Sequence, residues 1–131
     1  LFIPRTLLKE VAGDAEPFKL LAGLPHAITA SGAFVHKVAD LAENMKEALH
    51  PSLQCDSHPA VAAAVATGRY AAILPVIAQA VLPTTTHHCL QSPKAFAPLA
   101  RPTSLAWNPR LDRINSQAEK FRKILLQVLK S

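Results

Sequence analysis

The stretch CDSHPAVAAAVATGRYAAILP, from Cys55 to Pro75, reads in one run as loop, helix, glycine stop, buried strand and proline. Ser57 is placed to cap the helix that follows, and Pro59 falls in its first turn, where the missing N–H would have had no partner anyway. The small apolar run Ala60 to Ala66 leads to Gly68, the residue type best suited to a left-handed helix stop. A second apolar run, Tyr70 to Leu74, fits a strand covered on both faces. The run as a whole predicts an αβ step of a parallel sheet.

Upstream, LFIP at the start is a short strand or crossing segment, and Arg5 to Gly23 is a polar and apolar mix punctuated by Gly13, Pro17 and Gly23. Leu24 to Thr29 is apolar and of strand length, and the turn-like Thr29 to Gly32 leads into a helix. Phe34, Val38, Leu41, Met45 and Leu49 recur there at spacings of three and four, which marks one buried helical face. Pro51 prevents continuation, and Leu53 and Cys55 alternate with polar neighbours into a second strand.

Downstream, Val76 to Leu82 suits a short helix with Pro75 at its start, and TTTHHCLQ offers residues for a further strand. Pro93, Pro98 and Pro102 break any long element and make Lys94 to Arg101 a crossing segment. Thr103 to Trp107 is strand-like. Ser116 and Glu119 stand at capping-box spacing before a last helix with Ala118, Phe121, Leu125 and Val128 as its inner stripe. Alternating strands and helices imply an α/β fold: a Rossmann-like lobe with a mostly parallel sheet flanked by helices, plus a C-terminal strand and helix.

Composition narrows the function classes. A chain of 131 residues with 50% apolar and 18% charged residues is a packed globule rather than a disordered segment. The net charge of +5 suggests nucleic acid, but the bases are scattered. The densest group, Lys120, Arg122, Lys123 and Lys130, complements the negative end of the last helix. No aromatic stacking platform accompanies it, so direct DNA contact is not expected.

Cys55 and Cys89, without C-x-x-C, favour a reducing compartment. Together with His58, His87 and His88 they are zinc-compatible types, yet adjacent side chains in a strand point to opposite faces, and no metal is expected. The chain begins at Leu1 rather than Met, as an excised or processed piece would, and lacks the pattern of a secretory signal. No apolar run approaches the about 20 residues of a bilayer span. Nucleophile-elbow, phosphate-loop and zinc-helix signatures are all missing. Asp56, Ser57 and His58 are neighbours in sequence and so rarely attain the geometry of a triad. An enzyme is not expected.

With these readings in place, VATGRYAAILP and the later SLAWNPRLDRINSQAEKFRKIL resemble the effector-binding domain of LysR-type transcriptional regulators. Asp56, Ser57, Val65, Gly68, Leu74 and Pro75 stand where the family has a polar helix start, a Val-x-x-Gly ending and a Leu-Pro strand end. Trp107, Pro109 and Arg110 before an amphipathic helix supply the second match. The resemblance implies a two-lobed, periplasmic-binding-protein-like fold. Residues 1–94 would be the second lobe with its incoming crossing strand; 95–131 would be the return crossing, strand and last helix of the first lobe.

It further implies a small-molecule effector, a homo-oligomer, a cytoplasmic bacterial setting without membrane or cofactor, and DNA contact only through a separate N-terminal domain. In open α/β sheets ligands gather at the carboxyl ends of strands, where helix N-termini offer N–H groups. Thr29, Ser31 and Gly32 form one such place, Asp56 and Ser57 with His58 another, and Pro75 with Val76 a third. These are the candidate effector-binding residues, suited to an anionic metabolite. The competing account is that Ser31 and Ser57 simply cap their helices. A lobe of a transport solute-binding protein and a pure interaction scaffold are the rival functions.

Overall fold

The structure, a computed structural model, describes residues 1–8, 16–91, 93–100, 105–115 and 117–128, without the side chains of 93 and 128. They fall into two units, Leu1–Leu99 and Ala100–Ser131. Gly13, Arg101, Pro102, Thr103, Ser116 and Lys130, used in the readings above, lie outside the described residues.

The first unit opens with β1 (Phe2–Pro4) and a single helical turn, α1 (Arg5–Leu8). Helix α2 (Pro17–Ala22) begins where the Glu16 carboxylate accepts from the N–H groups of Phe18 and Lys19 at 3.0 and 3.1 Å. Pro17, which reads as punctuation, is in fact the first helical residue, where its fixed φ suits a helix and no N–H is needed. Next come β2 (Ala27–Thr29), α3 (Ala33–Asn44), β3 (Leu53–Cys55) and α4 (His58–Ala66). A 3-10 turn (Val76–Ala80), β4 (His87–Cys89), α5 (Pro93–Phe96) and a second 3-10 turn (Ala97–Leu99) complete the unit.

Strands β2 and β3 pair in parallel, with Thr29 opposite Cys55. Strands β1 and β4 pair antiparallel, with Phe2 opposite Cys89. Ala71 and Ala72 join the two pairs: Ala71 lies parallel to His26 and Ala72 antiparallel to Phe2. The expectation of a mostly parallel sheet is therefore corrected to short, mixed pairings. The reversal belongs to β1 alone, because β4 opposes β1 and so runs with the others. The two parallel steps each carry a crossover helix, α3 after β2 and α4 after β3, as parallel neighbours require. Strand β1 comes before the first crossover and is under no such constraint.

Both faces of this sheet are buried. Phe2, Ala27 and Ala72 pack with Val61 and Val65 of α4 in one cluster, while Leu1, Ile3 and Ala71 pack with Leu20 and Leu21 of α2 in another. Neighbouring residues thus serve opposite faces, as strand alternation demands. Helix α4 is built from alanine and valine, and these small side chains let it close tightly on the sheet. On the other side Phe18, Val38, Ala42 and Leu99 form a third cluster, with the Phe96 ring edge-on to Phe18 at 5.9 Å.

Helix α3 ends earlier than its apolar stripe suggests. The Glu47 N–H returns to the Ala42 carbonyl and the Lys46 N–H to that of Glu43, each at 2.9 Å, with Lys46 at φ 59°. This is a Schellman stop with a lysine in the left-handed position usually given to glycine. Met45 is consequently 39% exposed, and Leu49 folds back against the core from beyond the helix. Helix α4 ends in the same manner with the expected residue, Gly68 at φ 78°, whose N–H meets the Val65 carbonyl at 2.9 Å. The Lys94 to Arg101 crossing is likewise corrected: its described part forms helical turns, with Pro93 starting α5.

The second unit contains α6 (Leu111–Ile114) and α7 (Ala118–Val128). Asp112 ties it together, accepting from Trp107 Nε1 at 3.0 Å and facing Arg122 Nη2 at 3.7 Å. No strand forms over Leu105 to Trp107, which corrects the described part of the Thr103 to Trp107 expectation. The inner stripe of α7 also shifts. Ala118 is buried and Leu125 half-buried as expected, but Phe121 is 57% exposed, because Arg122 turns inward instead.

Replacing Lys46 by glycine stabilises the chain by about 1 kcal/mol, whereas Gly68→Ala destabilises it by about 1–2 kcal/mol, both read from urea unfolding. Equal midpoints for all three proteins contradict the assigned helix stops.

Candidate functional site

The three segments that run in parallel end at one edge of the sheet. Strand β2 ends at Thr29, β3 ends at Cys55 directly opposite, and the Ala71–Ala72 segment runs out to Leu74 and Pro75. The Ala30 N–H donates to the Cys55 carbonyl at 2.8 Å and holds the first two exits together. Each candidate residue leaves from this edge. Thr29 closes β2 and is 7% exposed; Ser31 lies exposed in the following turn; Gly32 is the N-cap of α3. Asp56 and Ser57 are exposed between β3 and α4, and Pro75 is exposed before its 3-10 turn.

The two serines differ in role. Ser57 caps α4, its Oγ accepting from the Ala60 N–H at 3.4 Å. Ser31 is not the cap: the N-cap of α3 is Gly32, at φ 109°, which has no side chain to bond the first turn. A glycine tolerates that backbone where a side chain would be strained.

Between the starts of α3 and α4 lies a narrow slot lined by Thr29, Phe34, Val35 and His58, floored by Ile28 and Leu74. Its volume is about 10 Å³, the room of one water-sized group. The Phe34 and His58 rings meet edge to face at 5.1 Å and 67°. His58 Nε2 is buried without a hydrogen-bond partner. The Thr29 hydroxyl also makes no hydrogen bond among the described residues. His58 Nε2 is thus a buried polar atom without a partner on an otherwise largely apolar slot, an arrangement that native interiors seldom leave unexplained.

Phe34 is the site residue that sequence reasoning misses, whereas His58 stands in the second candidate place. Phe34 reads as the first member of a core stripe, and His58 as part of a zinc-compatible set. The usable signal is that each stands in the first turn of a helix that follows a strand. Among the described residues no three His, Cys, Asp or Glu side chains gather as a metal would need. Cys55 and Cys89 are both free and lie in strands at opposite edges of the paired set.

The remaining buried histidines serve structure. His87 Nε2 donates to the Val65 carbonyl at 3.2 Å, and its Nδ1 accepts from the Thr86 hydroxyl at 2.8 Å, which ties β4 to α4. His26 Nδ1 donates to the Leu24 carbonyl at 2.9 Å, leaving Nε2 unpartnered.

Among the described residues no helix is long and apolar enough to cross a membrane. Comparison with family models, curated proteins and solved structures finds no match to the chain.

Ser57→Ala destabilises the chain by about 0.5–1 kcal/mol, the low end for a cap whose bond is long, while Ser31→Ala stays within about 0.5 kcal/mol of the parent. Chemical denaturation distinguishes them; equal losses at both serines contradict the capping assignment.

Proposed function

We propose that this chain is an effector-sensing piece of a LysR-type transcriptional regulator, which binds a small anionic metabolite at the edge where its parallel segments end. The observation that carries this reading is the convergence of Thr29, Gly32 and Ser57 on that edge, with two helix starts beside them. Helix N-termini attract anions through unpaired N–H groups and the dipole. The motif resemblance in VATGRYAAILP and in the Trp107 to Ile124 tail supports the same assignment. On this reading the first unit is the second lobe of a two-lobed fold, and the second unit contributes to the first lobe.

The reading accounts for function through population shift. A ligand that contacts both lobes favours the closed arrangement by its differential affinity, and closure is passed to DNA-binding domains that lie outside this sequence. The protein acts as a homo-oligomer in the cytoplasm, uses no cofactor and catalyses no reaction. Contact with DNA runs through a winged helix-turn-helix elsewhere in the regulator.

A thermal-shift screen of carboxylic acids and aromatic metabolites on the full-length regulator tests this directly. A specific ligand at about 100 times its Kd adds about 2.7 kcal/mol of stability and raises Tm by several degrees. The same ligand changes operator affinity in a gel-shift assay. A flat Tm across the panel removes sensing; a rise in Tm with unchanged operator affinity redirects the reading toward solute transport.

A further inference from the structure

We propose that the second unit binds an anionic lipid surface, with Phe121 and Ile124 of α7 seated among the lipid headgroups and the bases of the unit drawing it there. The inference goes beyond the sensing reading and needs none of its assumptions. It departs from the membrane-free setting that the family resemblance implies.

Charge is divided unevenly along the chain. Leu1–Leu99 holds seven Lys and Arg and seven Asp and Glu, so its charges balance. Ala100–Ser131 holds seven Lys and Arg against two Asp and Glu, so the whole net charge of +5 belongs to this short segment. Ion pairs take up little of it: Lys123 Nζ meets Glu119 at 2.9 Å, and Arg122 faces Asp112 at 3.7 Å. Arg110, Arg113 and Lys120 are exposed and have no carboxylate partner among the described residues. Lys120 stands in the first turn of α7, where the helix dipole disfavours a cation, so the dipole does not account for it.

The bulkiest apolar side chains of α7 point outward. Ala118 is buried and Arg122 and Leu125 are half-buried, whereas Phe121 is 57% and Ile124 47% exposed. Three positions apart on a helix, Phe121 and Ile124 form one outward stripe, and Lys120, four before Ile124, stands on its flank. An apolar helix face edged by cations is the form that lies in the plane of a membrane interface. Among the described residues no helix is long and apolar enough to cross a membrane, so the attachment is to the surface.

Other occupants fit less well. Nucleic acid would satisfy the bases but leaves Ile124 in water, and α7 has a single aromatic ring on which to stack. A second copy brings the same excess of positive charge and is repelled. A protein groove grips a continuous ridge, but Ala118 and Leu125, three before and four after Phe121, are turned inward. A fluid bilayer asks only for apolar side chains and cations at one surface.

The test is sedimentation of the full chain with vesicles of phosphatidylcholine alone and of phosphatidylcholine with about 30% phosphatidylglycerol, at about 0.1 M salt. The chain binds the anionic vesicles at least about tenfold more tightly than the neutral ones, and about 0.5 M salt weakens that binding. The double variant Phe121→Ser, Ile124→Ser weakens it by at least about tenfold, and Lys120→Gln by about fivefold. Both variants keep a Tm close to the parent's, because the replaced side chains are exposed. The proposal is overturned if the chain ignores both kinds of vesicle, binds them equally, or binds the anionic ones as tightly after the double substitution. Tighter binding to duplex DNA of arbitrary sequence than to anionic vesicles, undiminished in the double variant, overturns it in favour of nucleic acid. Self-association in the analytical ultracentrifuge that the double variant abolishes, with no vesicle binding, overturns it in favour of a second copy.

Discussion

Two alanines hold the first unit together. Ala71 exchanges backbone hydrogen bonds with the Pro25 to Ala27 segment at 2.9 Å each, and Ala72 exchanges them with Phe2 at 2.8 and 3.0 Å. These four bonds connect the β2–β3 pair to the β1–β4 pair. Neither alanine is exposed at all, because one methyl points toward α2 and the other toward α4. A larger side chain at either position would hold a helix layer away from the sheet, and close-packed interiors feel even one added methylene. The narrow spacing seen across the unit is set here.

The position of the slot follows from that spacing. The parallel run of β2, β3 and the alanine segment delivers three chain exits to one edge, and the tight seating of α4 brings its first turn beside that of α3. The two helices begin differently. The N-terminus of α4 is capped by Ser57, whereas α3 starts at a glycine, which has no side chain to bond its first turn. Two helix starts at one edge, with a largely apolar cleft beneath them, are the physical basis of the functional reading.

Where local chemistry decides structure, the chain is easily read. Ser57, Pro59 and Gly68 act within their own turn, and the helix they delimit forms where their pattern predicts. The short strands around Phe2, Ile28, Gln54 and His88 were legible for the same reason, since alternation and β-forming side chains are local properties. Reading failed where two signals competed. The stripe from Phe34 to Leu49 continues past the end of α3, but a hydrogen-bonded stop at Lys46 overrides it and sends Leu49 to the core by another route. Glu16 is an unusual helix cap, and Pro17 after it looks like a break rather than a beginning.

The amino-acid sequence by itself determined the α/β alternation, the ends of α4 and the presence of a last helix, because each rests on residues close along the chain. Tertiary structure alone decided that β1 runs against its neighbours, that Phe121 faces outward while Arg122 turns in, and that Phe34 meets His58 across 24 positions. Strand direction, helix rotation and the pairing of distant rings depend on which surfaces pack together. That choice is made by the shape and volume of the assembled core, which no single segment encodes.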